Sequence, residues 1–218
     1  FKAQVLKDFT ATKQEIEKVQ ENWTKFIGLV QKISNEDLRE GLLAMSESLK
    51  DRLAVCPAST RTDYIGAYMG GLVETSLQTA KLMNNLNKAY DTTDKVDLDS
   101  IIVCGLFSQL GKIGSETDHL YLEKESQWHN DRGIMFDYNP KVAGIPVAVR
   151  SIWWMTSRYG INLSVDELYA ISSLATLGQV QQSNTELYSS PLLAAMLQHA
   201  TRVVSITGNP SKNSVLVD

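Results

Sequence analysis

Cysteine is scarce in this 218-residue chain: Cys56 and Cys104 are the only two, and Cys104 lies inside the apolar run 101–107. Two distant thiols exclude a disulfide-stapled small fold, and a reducing compartment with Cys104 as a small core residue is the simpler expectation. Long apolar runs are also missing. The run at 101–107 is far short of the roughly 20 residues that span a bilayer, and no charged and then apolar leader opens the sequence. A soluble, non-exported, cytoplasmic protein is expected. Neither sign of charge dominates, because 21 basic against 25 acidic residues leave a net charge of -4. That balance gives no general attraction to nucleic acid or to an anionic membrane. Histidine occurs only three times, at His119, His129 and His199, so an imidazole-rich centre has little to draw on.

Helical periodicity is what the sequence does have. Thr12 with Glu15 forms a capping-box pattern, and Ile16, Val19, Trp23, Phe26, Ile27, Val30 and Ile33 follow on one face. Ser34 with Asp37 suggests a second helix start, with Leu38, Leu42, Met45, Leu49 and Leu53 on its stripe. These predict an N-terminal helical hairpin, residues 1–55, packed on a main domain. Pro57 breaks the pattern, Gly70-Gly71 precedes a helix to about Tyr90, and Asp97 caps a helix to about Leu110 that is apolar nearly all round. Residues 115–139 form too long a polar, aromatic-dotted stretch for a plain connector. A helix from Pro146 ends near Gly160, Ser164 with Glu167 caps the next, and Ser190-Pro191 starts the last. No alternating strand pattern is present, so the fold expected is all-α, with the main domain at 56–206 and a tail at 207–218.

Several landmarks carry a family resemblance over roughly two-thirds of the chain. In order they are Pro57-Ala58-Ser59-Thr60, Gly70-Gly71-Leu72-Val73-Glu74, Leu110-Gly111-Lys112-Ile113-Gly114, Ser126-Gln127-Trp128-His129 with Arg132-Gly133, Arg150-Ser151, Tyr159-Gly160-Ile161 and Leu168-Tyr169-Ala170-Ile171. In type and spacing they resemble the HD-domain metal-dependent phosphohydrolases, especially a bacterial and bacteriophage branch. The resemblance implies an HD-like helical bundle carrying the N-terminal hairpin as an extension. It also implies, for an intact member, His and Asp side chains that hold divalent metals and activate water against a phosphoester.

At those ligand positions this chain has other residues. Ile65 and Thr75 stand where the family has histidines, and Ser108-Gln109 replaces the defining His-Asp pair before Leu-Gly-Lys. Leu174-Ala175 and Thr201 occupy the later positions. Neither hydroxyl, amide nor alkyl groups replace imidazole and a bridging carboxylate. The expectation is a catalytically inactive member with no metal and no cofactor. It would act as a structural or protein-interaction component, through self-association or a partner, and in a host cytoplasm or virus particle if it comes from the bacteriophage branch.

Two alternatives stand beside it. Lys112, Arg132 and Arg150 hold family landmarks and are candidates to bind a phosphorylated small molecule without hydrolysing it. An unconventional enzyme site would fall in the segment of Asp118, His119, Glu123, His129 and Asp131, whose spacing fits no recognised ligand pattern; surface or hydrogen-bonding roles are expected there. His199 is expected as a packed helix residue. Neither a Gly-x-Ser-x-Gly elbow nor a complete P-loop is present.

Overall fold

A computed structural model describes residues 12–90, 95–124, 126–176 and 191–207. Helix α1 (Lys13–Val30) opens with the expected capping box: Thr12 Oγ1 accepts from Glu15 N, and the Glu15 carboxylate accepts from Thr12 N. Helix α2 (Glu36–Leu53) starts one residue later than the sequence suggests. Its cap is Asn35, whose side-chain oxygen accepts from Leu38 N at 3.1 Å. The reason lies 64 residues away: the buried Asp99 carboxylate accepts from both Ser34 N and Asn35 N at 2.8–2.9 Å, pinning the turn so that Ser34 cannot cap.

Helix α3 (Gly71–Ala89) follows Gly70, which adopts φ +82, a conformation glycine reaches without strain. Helix α4 (Leu98–Phe107) is capped by Asp97, and its residues from Ile101 to Phe107 are all buried. Around it pack α1, α3, α8 (Val165–Ser173) and α9 (Leu192–Thr207). The hairpin joins this same core. Phe26 is fully buried, stacked on Trp23 at 5.5 Å and edge-on to Phe107 of α4 at 5.2 Å. Lys18 reaches Glu74 of α3 at 2.7 Å.

A 3-10 turn (Leu110–Ile113) follows α4, and the long connector then departs from the all-helical expectation. It forms a two-stranded antiparallel ribbon, β1 (Tyr121–Glu123) with β2 (Phe136–Tyr138), with the short helix α5 (Gln127–Asn130) between them. Strands of three residues are too short to write a period-two pattern into the sequence. Cross-strand Tyr121 and Tyr138 rings lie 5.7 Å apart and Tyr121 packs edge-on to Phe136, the kind of pairing that holds a short ribbon.

After the short helix α6 (Pro140–Ala143) comes α7 (Val147–Trp153), which runs into a widened turn (Trp154–Arg158) and ends near Gly160 at φ +66. Helix α7 can lie against the 3-10 turn only because residue 111 is glycine: an added Cβ would sit 2.2 Å from the Val147 carbonyl oxygen. Ser164 and Glu167 form the capping box of α8. Helix α9 runs to Thr207; Ser190 and the remainder of the expected tail lie outside the described residues. The structure is thus mostly helical with one small ribbon, and no helix among the described residues is long and apolar enough to cross a membrane.

Phe26→Ala removes the ring that ties the hairpin to α4 and is expected to cost roughly 3–5 kcal/mol. Urea unfolding followed by Trp fluorescence and by far-ultraviolet circular dichroism should give one coincident transition, shifted to lower denaturant. Separate transitions would mean that the hairpin folds apart from the main domain.

Candidate functional site

The positions expected to replace metal ligands lie on elements that pack together, since α3 carries Thr75, Ser108 caps the end of α4, Leu174 follows α8 and α9 carries Thr201. Thr75 is buried and donates to the Leu72 carbonyl at 2.9 Å. Ser108 is fully buried, and its hydroxyl has no hydrogen-bond partner. Gln109 sits half-buried between α4 and the 3-10 turn, and Leu174 and Ala175 pack against the core. Thr201 is half-buried with an unpartnered hydroxyl. Ile65 belongs to the loop before α3, where its carbonyl accepts from Ser59 Oγ. Among the described residues no three His, Cys, Asp or Glu side chains gather in a way that could hold a metal.

The three basic candidates separate. Arg150, 4% exposed, donates to the carbonyls of Gly111 at 2.7 Å, Ile145 at 2.8 Å, and Val142. It clamps the chain around α7, with its donors directed at backbone. Arg132 lies on the connector with its guanidinium 3.8 Å from the ring centre of exposed Trp128 and bonds the Trp128 carbonyl. Lys112 lines a cavity.

That cavity, about 340 Å³, lies among the end of α2, the 3-10 turn and the ribbon. Its polar lining includes Arg52, Lys112, His119, Asp51 and Glu123, and its apolar lining includes Val55, Pro57, Ile113, Leu120 and Phe136. Lys112 Nζ donates to the Ala58 carbonyl at 2.7 Å, and Tyr121 Oη donates to the same oxygen at 3.0 Å. Burial pulls the Lys112 amine down to about 8 and pushes the neighbouring Cys56 thiol up to about 12. Arg52 donates to the carbonyls of Ile113, Glu116 and Asp118, while its Nε is buried without a partner.

The chain matches no family model, no curated protein and no solved structure. Its chemistry therefore rests on the geometry alone.

Histidine contributes only at the cavity edge. His119 lines it, and burial together with the nearby Arg52 charge lowers its pKa. His129 sits on α5 with its ring edge-on to Trp128 at 4.8 Å. His199 is exposed on α9, a correction to the packed residue expected: the buried stripe of α9 runs through Leu193, Met196, Leu197, Ala200 and Val204, and position 199 falls on the other side. Arg52 and Tyr121 have no motif to announce them in sequence. Their only signals were a basic residue closing α2 before the Pro57 break, and an aromatic in an overlong connector.

The Lys112 environment fixes a pH response. Between pH 8 and 9 the folded amine has begun to lose its proton while the unfolded lysine, titrating near 10.5, keeps it. The unfolded state then binds more protons, so stability rises with pH. Above about 9 the Cys56 thiol works in the opposite direction, since the unfolded thiol ionises before the folded one. Urea titrations at pH 7, 8 and 9 should show stability rising over this window in the native chain and flat in Lys112→Met. An equal rise in both would assign the effect to another group.

Proposed function

We propose that this chain is a non-catalytic, HD-like helical scaffold that works as a structural or interaction component. The observation that carries the reading is that its family landmarks are joints of the fold while its ligand positions are chemically inert. Gly111 N donates to Ser151 Oγ at 2.7 Å, Arg150 donates to the Gly111 carbonyl, and Lys112 reaches back to Ala58. Thr62 N, beside the first landmark, donates to the Gly133 carbonyl at 2.9 Å. Four separated landmarks thus hold one another through backbone-directed bonds that need no metal. Ser108 and Gln109, at the position of the defining pair, provide neither imidazole nor carboxylate.

A surface for interaction accompanies this scaffold. Val149 and Trp153 lie four residues apart on α7, Ile145 stands in the bend just before it, and the three are 38–54% exposed. Val165 and Leu168 on neighbouring α8 are 80% and 43% exposed. Apolar side chains grouped on adjoining helices in this way mark a contact surface. The double variant Val149→Asp/Val165→Asp should keep the native melting temperature, because both side chains are solvent-facing. It should shift the purified protein from an assembly to a single chain in light scattering. A native protein that is a single chain at all concentrations, and that captures no partner through this face, would remove the support for an interaction role.

A second reading, binding of a phosphorylated small molecule without hydrolysis, is favoured by one observation. Lys112 and Arg52 line the same cavity, and neither cation is paired with a carboxylate among the described residues. Arg52 also lies 6.0 Å from the Trp154 ring, so occupancy should change the fluorescence of that tryptophan. Titration with inorganic phosphate or a nucleoside monophosphate should give a saturable change, weakened at least roughly tenfold by Lys112→Met, as loss of a charge-assisted bond predicts. No saturable change removes this reading and leaves the first untouched.

A further inference from the structure

Between α1 and α3, over the first turns of α4, lies an open groove of about 680 Å³ that shares no residue with the Lys112 cavity or the α7–α8 face. Its apolar lining is aliphatic: Leu29, Leu77, Ala80, Leu98, Ile101 and Ile102. Its charges are all of one sign. Lys25 and Lys32 stand on the α1 side and Lys81 and Lys88 on the α3 side, and no acidic residue lines the groove. Lys25 pairs with Glu21 at 2.7 Å, whereas Lys32, Lys81 and Lys88 have no ion pair or hydrogen bond among the described residues.

The spacing of these lysines is informative. Each pair is seven residues apart; for Lys81 and Lys88, both within α3, that spacing returns to within about 20° of the same stripe after a rise of about 10 Å. Lys32 lies in the turn just past α1, where its amide bonds the Leu29 carbonyl at 3.0 Å. The groove is therefore an apolar channel with a row of positive charge on either bank, the arrangement by which one helix seam accepts another. Gly28 adds a separate indication. It sits inside α1, where glycine costs roughly 0.5–1 kcal/mol relative to alanine, yet a Cβ there would meet nothing within 4 Å. No packing among the described residues explains the missing side chain, and its absence lowers the groove wall for an approaching backbone.

We propose that this groove receives an acidic amphipathic helix of a partner protein, with its leucine-like face on Leu29, Leu77 and Leu98 and its carboxylates along the two lysine rows. Other anions fit less well. A fatty acid has one carboxylate at one end and cannot answer two rows, each two turns long. Single-stranded nucleic acid would need aromatic platforms for its bases, and none lines this groove. A flat anionic membrane cannot reach the floor of a channel walled by two helices.

The test uses the full chain and a fluorescein-labelled peptide of about 15 residues, roughly four helical turns, with Leu on one face and Glu on both flanks. A twin peptide carries Lys in place of Glu. Anisotropy should show the Glu peptide binding at least roughly tenfold more tightly than its twin, with the difference shrinking at high salt. Lys32→Glu/Lys81→Glu should invert the preference. Gly28→Leu should weaken the Glu peptide without lowering the melting temperature, since the substitution favours the helix and blocks only the channel. Equal binding of the two peptides, or a preference that survives the reversal, overturns the proposal. So does displacement of the bound Glu peptide by laurate, by an oligonucleotide, by anionic vesicles or by self-association of the chain at matched occupancy.

Discussion

The burial of α4 is the constraint from which the rest of the structure follows. From Ile101 to Phe107 every side chain is out of solvent, including Gly105, where a Cβ would lie 2.6 Å from the Ala80 backbone of α3. A helix apolar on all sides cannot be covered by one neighbour, so several helices must surround it, and the hairpin of α1 and α2 supplies part of that cover through Phe26. Fully burying aliphatic and aromatic side chains is worth about 1.5–3 kcal/mol each. The fold is held by this burial, and the hydrogen bonds that join the 3-10 turn, α7 and the loop before α3 select which packing results.

Helices were legible in the sequence where local chemistry decides them. The Thr12–Glu15 and Ser164–Glu167 boxes, the Asp97 cap and the Gly160 stop all act within four residues of themselves, and each is present as read. What was not legible acts at long range. Asp99 sets the start of α2 from the far side of the core, displacing Ser34 as the cap. The ribbon depends on pairing Tyr121 with Tyr138 across a connector whose strands are three residues long. The apolar neighbours of His199 in sequence point to the core, although the 3.6-residue period turns it outward.

The same division separates the candidate sites. Lys112, Arg132 and Arg150 shared a resemblance but have different partners: a cavity, an exposed tryptophan and a set of buried carbonyls. Arg52 shares the cavity with Lys112 although 60 residues of chain separate them, a proximity only the fold creates. The lysine rows of the α1–α3 groove were visible as residues and invisible as a surface, because neither helix alone makes a channel. Charges that look like ordinary solvated positions along one helix become directional when a second helix repeats them across an apolar floor.

The central claim is that this scaffold does its work without metal chemistry. The most direct measurement is elemental analysis of the purified native chain, together with phosphate release from a panel of nucleotides with manganese, magnesium or zinc added. The account predicts no stoichiometric metal and no turnover above a buffer control. About one or two metal ions per chain, with turnover lost on chelation and restored by the ion, would contradict it and return Ser108 and Gln109 to an active site of unrecognised design.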